Sequence, residues 1–550
     1  MEKDIKVGVF LCQCDGQISN ILSLDRIEKA VSKNPKVSLV SNTNFPCSKT
    51  GLRAIQSAIG EKDLNRIVVA GCSPRMVEQL FVRTITEAGL NSNSLEIANV
   101  RDFCARVHQK EKSAATTKAI DMIKGAIDTV SIKQPLENLT REVVKNVAVI
   151  GGGIAGISAA LSLASRGNKV TLIEKDVQLG GMLNSVYRLY PRETDAAEFI
   201  KEKIEQIKTT KNIEVQTGAE VKDIHGSVGQ YQIKINSKSN SKKIEAGAVV
   251  FATGSEYFYP NGLYGYGSDK NIITQLEFET MLRQNKLAAK EMVFIQCVGS
   301  RNEERPYCSR FCCPATFKNV LLLKRANPEL KITVIFRGLT EYIREYDEAV
   351  DLGVLFIRYD PENPPQVKND FIFVTDEKTD KNFEIPFELL VLATPMIPGS
   401  KSKQWGKKLR LPVDEYGFIL EPHVKLRPKR FAPDGIFVAG TVHWPGLVSD
   451  SIGQGVSAAA RAFSLIQKET IEREPIIAEI DPQICRGCER CVEVCLFQAI
   501  KMVKDDGGFQ HAKIDEFVCK GCGMCATVCI CGAAQVKHLT DEQVNSMVSV

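Results

Sequence analysis

Eight cysteines near the C-terminus have the type and spacing to do chemistry. Cys485, Cys488, Cys491 and Cys495 are followed, after a short spacer, by Cys519, Cys522, Cys525 and Cys529. Each group repeats C-x-x-C-x-x-C-x-x-x-C, the ligand run for paired [4Fe–4S] cubanes. Three thiolates on a tight loop cap three irons of one cubane, and the fourth, on the following helix, reaches across to the other. This assigns Cys485, Cys488, Cys491 and Cys529 to one cluster and Cys519, Cys522, Cys525 and Cys495 to the second. Disulfides and zinc are the competing readings, and a doubled run of identical spacing disfavours both. The proline that usually follows the fourth cysteine is replaced by Leu496 and Ile530, which loosens the local turn argument but not the ligand count. Cys531 is left over and reads as a passive thiol. Such a segment moves electrons one at a time.

A second constellation lies mid-chain, in VAVIGGGIAGISAALSLASRGNKVTLIEK (Val147 to Lys175). It reads as strand, glycine turn, helix, strand. Gly151, Gly153 and Gly156 form G-x-G-x-x-G after an apolar strand, and Glu174 ends the next strand, the arrangement of a dinucleotide fingerprint. Gly151 allows the tight turn, Gly153 lets backbone approach a pyrophosphate, and Gly156 lets helix and strand pack closely. The helix N-terminus offers the positive end of a dipole, and the Glu174 carboxylate accepts from a ribose hydroxyl. A lone glycine motif would be weak; strand, helix and acid together point to a bound dinucleotide.

The elements that position these residues follow from the rest of the chain. With 550 residues, the length suggests three or four domains. Two linkers, Ser131 to Asn146 and Lys468 to Gln483, divide it into an N-terminal parallel α/β domain (1–135), a central α/β domain (145–470) and a C-terminal iron–sulfur domain (478–550). SKSNSKK (Ser237 to Lys243) reads as a polar hairpin tip. A formal net charge of +5 is too diffuse to argue for nucleic acid. The longest apolar candidate for a membrane span, Val147 to Ala164, is broken by the glycines of the turn. Eighteen cysteines without a leader-like N-terminus suggest a reducing compartment and metal ligation, hence a cytoplasmic protein with no direct membrane insertion.

Later segments specify the dinucleotide. Leu179-Gly180-Gly181-Met182 follows the second strand, Ala252, Thr253 and Gly254 end another, and Gly435 to Thr441 precedes a small-residue helix (Ser451 to Phe463). This set, in this order, resembles the two-dinucleotide-binding-domain flavoproteins, which include thioredoxin and glutathione reductases. The resemblance implies FAD, held by the fingerprint together with Lys175, Gly181, Met182, Val221, Ala252, Thr253, Gly254, Gly440 and Thr441. The later helix then aims its N-terminus at the flavin N1/C2=O edge. The family usually has Asp where Thr441 stands, so the ribityl contact must come from a hydroxyl or backbone N–H. The same family carries a second glycine motif for NAD(P)H, expected after the strand Met292 to Gln296 in an NAD-domain-like part (256–400). Cys297-Val298-Gly299-Ser300 stands there instead, followed by Cys308, Cys312 and Cys313. The reading is a lost nicotinamide site and a gained cluster beside the flavin.

CVGSRNEERPYCSRFCC resembles the flavin-containing A subunit of heterodisulfide reductase from methanogens and its homologues in other anaerobes. That resemblance implies a [4Fe–4S] cluster on Cys297, Cys308, Cys312 and Cys313, with Lys318 the catalytic lysine beside flavin N5. The competing reading for Lys318 is a helix-surface lysine. VGVFLCQCDG, NFPCSKTG, VVAGCSPR and ANVRDFCARVH resemble blocks of the same polypeptide's N-terminal domain. Independently, Cys12, Cys47 and Cys72 each fall at or just past the end of a short apolar strand, where loops of a parallel sheet converge, and Cys104 could join them in a further cluster. Cys14 competes with Cys12 as first ligand, and both stay open. The methanogen protein carries an extra ferredoxin-like domain between the segments matching Leu183 and Val249. That stretch lacks cysteine here, so the chain reads as a short form.

The resemblance implies an FAD and iron–sulfur subunit that takes electrons from a hydrogenase or formate dehydrogenase donor subunit. It passes them toward heterodisulfide-reductase B/C-like subunits, which reduce the mixed disulfide of coenzymes M and B, and toward ferredoxin, as a homodimer within a larger complex. No free C-x-x-C or C-x₄-C pair remains for disulfide chemistry, and the missing insert weakens electron bifurcation. The alternatives are a component of a quinone-interacting or sulfur-oxidising complex, a free-standing NAD(P)H-dependent flavoprotein, or a flavin-less relay scaffold.

Overall fold

The computed structural model describes residues 4–237, 241–339, 343–421 and 434–548. The chain divides into two compact units. One joins the residues up to Thr140 with those from Glu472 onward, and the other runs from Arg141 to Ile471.

The first unit begins with four parallel strands, β1 (Val7–Cys12), β2 (Val37–Thr43), β3 (Arg66–Ala70) and β4 (Leu95–Ala98), in the order β2-β1-β3-β4. β1 is VGVFLC and buried throughout, the continuous apolar run of a central parallel strand covered on both faces. Helices α1 (Leu24–Val31) and α4 (Lys112–Ile132) cover one face, while α2 (Lys49–Glu61) and α3 (Pro74–Glu87) cover the other. Ser23 and Ser48 cap α1 and α2, each accepting a backbone N–H three residues on. The strand order reverses between β1 and β3. In open parallel sheets that switch point is where a crevice forms beyond the strand C-termini.

The second unit is a doubled nucleotide-domain architecture. Strand β5 (Asn146–Ile150), helix α5 (Ile154–Ala164) and strand β6 (Lys169–Ile173) start a five-stranded parallel sheet that Ile213–Gln216, Ala248–Phe251 and Ile436–Val438 complete. An antiparallel meander, Glu220 to Ala246, is appended to it. Residues 238–240 of the expected hairpin tip lie outside the described residues, and the flanking strands pair with Asn236 opposite Ser241. A second five-stranded parallel sheet contains β7 (Glu291–Ile295) flanked by Leu389–Leu392 and Lys331–Phe336. Helix α6 (Cys312–Ala326) follows β7 where a nucleotide-binding helix would stand, and α7 (Val448–Ile466) closes the unit. The α/β expectation for both domains is met. Between Leu183 and Val249, among the described residues, there is one long helix, Ala196–Thr209, plus strands, and the sequence there holds no cysteine.

The C-terminal segment, back in the first unit, folds as two short antiparallel pairs, Ala478–Ile480 with Ala534–Val536 and Ile500–Lys504 with Gln510–Ile514. Helix α8 (Asp541–Val548) packs against α4, and the His538 ring bonds the Gln134 carbonyl at 2.9 Å. Among the described residues, no helix is long and apolar enough to cross a membrane.

Candidate flavin cleft and thiol groups

The β5–α5 turn is built as its glycines require. Gly151 has φ +110°, and a Cβ there would lie 2.1 Å from the Ala252 carbonyl oxygen. A Cβ on Gly156 would lie 1.8 Å from the Gly151 oxygen. Gly153 differs: a Cβ there meets nothing within 4 Å, because the position opens onto a cavity of about 300 Å³. Beside it, Gly181 and Met182 from the loop after β6 and Ala252, Thr253 and Gly254 at the end of Ala248–Phe251 line the same cavity. Gly440, Thr441 and the N-terminal turn of α7 close it. Glu174 and Lys175 sit at one end, where a smaller cavity of about 160 Å³ adjoins, lined by Val221 and Trp405. Glu174 is 7% exposed, and its carboxylate accepts the Gly152 N–H at 2.5 Å and the Asp176 N–H at 2.9 Å. The twelve cleft residues read from sequence therefore line one continuous groove, and Gly156 packs helix to strand behind it. An open glycine facing a helix N-terminus and a buried acid fit a dinucleotide.

Lys318 is no surface residue. It lines the cleft at 3% exposure, and its Nζ donates to Glu279 Oε1 and, at 2.8 Å, to the Arg188 carbonyl. Asn319 Nδ2 and the Tyr187 N–H donate to the same carboxylate. Burial holds the Lys318 amine below the ordinary lysine range, and Glu279 opposes that shift. Glu279 was not expected. Its signal lies in the helix Gln275–Arg283, where Gln275 and Glu279, one turn apart, share the buried face with Phe278.

α6 joins this cleft to a thiol group. Phe311 and Ala315, at its start, line the cleft, and Cys312 and Cys313 occupy the same turn. Burial pushes the Cys312 thiol well up, followed by the neighbouring thiols Cys313, Cys297 and Cys308, so all four stand together. Cys297 adopts φ +61°, a left-handed conformation uncommon outside glycine. Where a pyrophosphate loop would lie, a Cβ on Gly299 would meet the Phe258 ring at 2.3 Å, and the Arg305 guanidinium stacks over that ring at 4.1 Å.

At the β1/β3 switch point stand Cys12, Cys14, Cys47 and Cys72. The Cys12 thiol is pushed up to about 12 by burial first and then by the three others. Arg101 Nη1 reaches the Cys14 sulfur at 3.9 Å. Cys104, the further candidate, is fully buried in a short π-helical turn, Arg101–Arg106, with its thiol 3.5 Å from the Met122 sulfur and in the same core cluster as Cys12. The helical phase of that turn directs the Cys104 side chain toward Met122.

In the C-terminal segment, one cavity is lined by Cys485, Cys488, Cys491 and Cys529, and another by Cys495, Cys519, Cys522 and Cys525. Gly487 (φ +64°) and Gly521 (φ +62°) make the two equivalent loop turns, where a Cβ would run into the Gln510 and Ile476 carbonyls. The Ala499 and Ala534 N–H groups donate to the Cys495 and Cys529 sulfurs, both at 3.3 Å. Among the described residues no three His, Cys, Asp or Glu side chains gather closely enough for a single metal ion. A cubane places its four thiolates on four different irons, so its ligands must surround a void rather than meet at a point. The cysteine-lined cavities fit that demand.

A two-nucleotide-domain cleft with a cysteine loop in place of the second glycine motif, followed by paired cysteine runs, defines an iron–sulfur flavoprotein. The pyridine nucleotide-disulphide oxidoreductase family matches residues 145–295, and the 4Fe-4S dicluster domain matches 484–533. An iron-sulfur A subunit of the CoB–CoM heterodisulfide reductase of Methanopyrus kandleri is 30% identical, over 92% of both chains. The corresponding A subunit of Methanocaldococcus jannaschii is 30% identical over 99% of this chain and 98% of its own. The A subunit of the H(2):CoB-CoM heterodisulfide,ferredoxin reductase of Methanothermobacter marburgensis is 30% identical over 90% of each. The chain belongs to this family of heterodisulfide reductase A subunits, oxidoreductase components of flavin and iron–sulfur type. The Methanopyrus alignment spans 606 positions against 550 residues here, so that relative carries segments this chain lacks. Thioredoxin reductase from T. acidophilum superposes with TM-score 0.42 at 19% identity, over 58% of this chain and 99% of its own, a likeness too distant to bear on function.

Proposed function

We propose that this chain is the flavin and iron–sulfur electron-transfer subunit of a heterodisulfide-reductase-like complex. The observation that carries the reading is α6, one helix that brings a four-thiol group to its N-terminus and Lys318 to the wall of the dinucleotide cleft. FAD bound in the cleft would exchange electrons in pairs, and clusters on the cysteine groups would carry them singly. Gly153 and the N-terminus of α7 would receive the dinucleotide, and Glu174 would orient its ribose. Lys318 would hold positive charge against the flavin. Cys297, Cys308, Cys312 and Cys313 would hold a cluster beside the cleft, and the two C-terminal cavities would hold one each. A fourth would lie at the N-terminal group, with Cys14 in place of Cys104.

The packing of Phe258 and Arg305 into the loop after β7 argues against nicotinamide entry there, so electrons would come from a donor subunit. The names of relatives include hydrogen or formate before the heterodisulfide, and ferredoxin beside it as a second acceptor. A hydrogenase or formate dehydrogenase donor, a disulfide-reducing partner and ferredoxin are the corresponding partners for this chain, which would act as a homodimer. Disulfide reduction itself would take place on that partner.

The test is an anaerobic redox titration of the isolated chain, with flavin absorbance and radical EPR followed together. Flavin reduction in one two-electron step supports bifurcation. Two well-separated one-electron steps reduce the role to passing electrons along a single route. Bleaching of the flavin by NADH would overturn the donor-subunit reading.

A further inference from the structure

The C-terminal segment is internally duplicated, and its two halves differ at one informative position. Two residues beyond the fourth cysteine of the first run stands Phe497, which lines the cavity of Cys495, Cys519, Cys522 and Cys525. The equivalent position beyond Cys529 is Cys531, and it lines the other cavity, with Cys485, Cys488, Cys491 and Cys529. That cavity therefore presents five thiols where the first run's partner cavity presents four. The Cys531 sulfur stands 3.8 Å from the Cys529 sulfur. The side chain is half-buried, and Arg486, in the loop between Cys485 and Cys488, lines the same cavity. The connecting residue is Ile530 rather than the usual proline. The turn keeps its free φ at that position, and Gly532 follows at φ +70°. A small local rotation therefore suffices to present either sulfur.

We propose that Cys531 is a second, interchangeable ligand for the cluster of this cavity, able to replace Cys529. This rests on the two-cluster reading above. The exchange is electron-neutral: one iron–sulfur bond to Cys529 breaks, one to Cys531 forms, and the proton released by the Cys531 thiol is taken up at the freed Cys529 sulfur. The site then has two ligation states, and the Ala534 N–H, which donates to the Cys529 sulfur, serves the bound sulfur in only one of them. Hydrogen bonds to cluster sulfurs are among the determinants of cluster potential.

The experiment uses the full chain, purified anaerobically, with iron and acid-labile sulfide per chain and the EPR of the reduced clusters as readouts. Cys529→Ala is expected to keep the parent iron content with a shifted EPR signal, while Cys529→Ala/Cys531→Ala loses about four irons per chain. Loss of about four irons already in Cys529→Ala, whether through misfolding or failure to bind, overturns the proposal. A companion pair works in the other half. Cys495→Ala is expected to lose about four irons, and Cys495→Ala/Phe497→Cys to regain them. No recovery there overturns the claim that this position reaches a cluster. A parent chain without iron in this segment overturns the two-cluster reading itself, a result distinct from that of either variant.

Discussion

Lys318 and Glu279 form an ion pair at 2% and 5% side-chain exposure on the wall of the cleft. Taking two charges out of water is costly, and removing one partner strands the other. Lys318→Met is therefore expected to destabilise the protein by about 3–5 kcal/mol, and Lys318→Met/Glu279→Leu to recover most of that loss in denaturant titrations. The folded protein binds the Lys318 proton less tightly than the unfolded chain does. Stability thus rises with pH from the depressed value up to the ordinary lysine range, and Lys318→Met should remove that rise. Beside a flavin, the cation favours the reduced form. Lys318→Gln should lower the flavin midpoint, by about 30 mV for each 1.4 kcal/mol of interaction lost in a two-electron couple, as read by spectroelectrochemistry. In the N-terminal group, Cys14→Ser should lower the iron content of the chain, while Cys104→Ser should leave it unchanged. Which of Cys12, Cys14 and Cys104 stand with Cys47 and Cys72 was not legible in sequence. Spacing reports neighbours along the chain, whereas the phase of a single π-helical turn decides whether a side chain enters a crevice or a core.

The strand–turn–helix from Asn146 to Ala164 shows what sequence carries best. Its glycines are dictated by contacts within a dozen residues or by one crossing strand, so the motif states its own geometry. Two of these positions should nonetheless respond differently to alanine. Gly156→Ala drives a methyl into the Gly151 carbonyl and should cost on the order of 3 kcal/mol. Gly153→Ala meets no protein atom and has φ −75°, so the fold should tolerate it. The protein should then fold with its thermal midpoint nearly unchanged yet be isolated with little flavin, checked by calorimetry and by absorbance after denaturation. The paired cysteine runs were legible for the same local reason, down to the placing of the fourth cysteine of each run on the other run's cavity. Glu279 was not, because an acid on a helix declares itself only when the surface covering it is known. Nor was the place of Cys531 on that cavity, which needed the arrangement of the other half for comparison.

At the scale of the molecule, the family and the α/β plan followed from motifs, but the grouping of the chain into units did not. Nothing in the sequence announces that the segment from Glu472 onward shares a unit with the first 140 residues. That association runs through α8 on α4 and through the His538 contact to Gln134. Deleting residues 541–550 is accordingly expected to speed hydrogen exchange in α4 while leaving α5 and α7 unchanged, measured by mass spectrometry on proteolytic fragments.

The same closure has a consequence for how the protein is made. The helix α4 is synthesised early, and the helix that covers it leaves the ribosome much later. At about 5–20 residues per second, the chain between Thr140 and Glu472 takes roughly a quarter of a minute to a minute to emerge. During that interval the N-terminal sheet waits with one helix uncovered, and a transcript that ends early leaves it so permanently. A truncated product thus leaves exposed the surface of α4 that α8 covers in the finished one, a mark by which a chaperone or protease can tell the two apart.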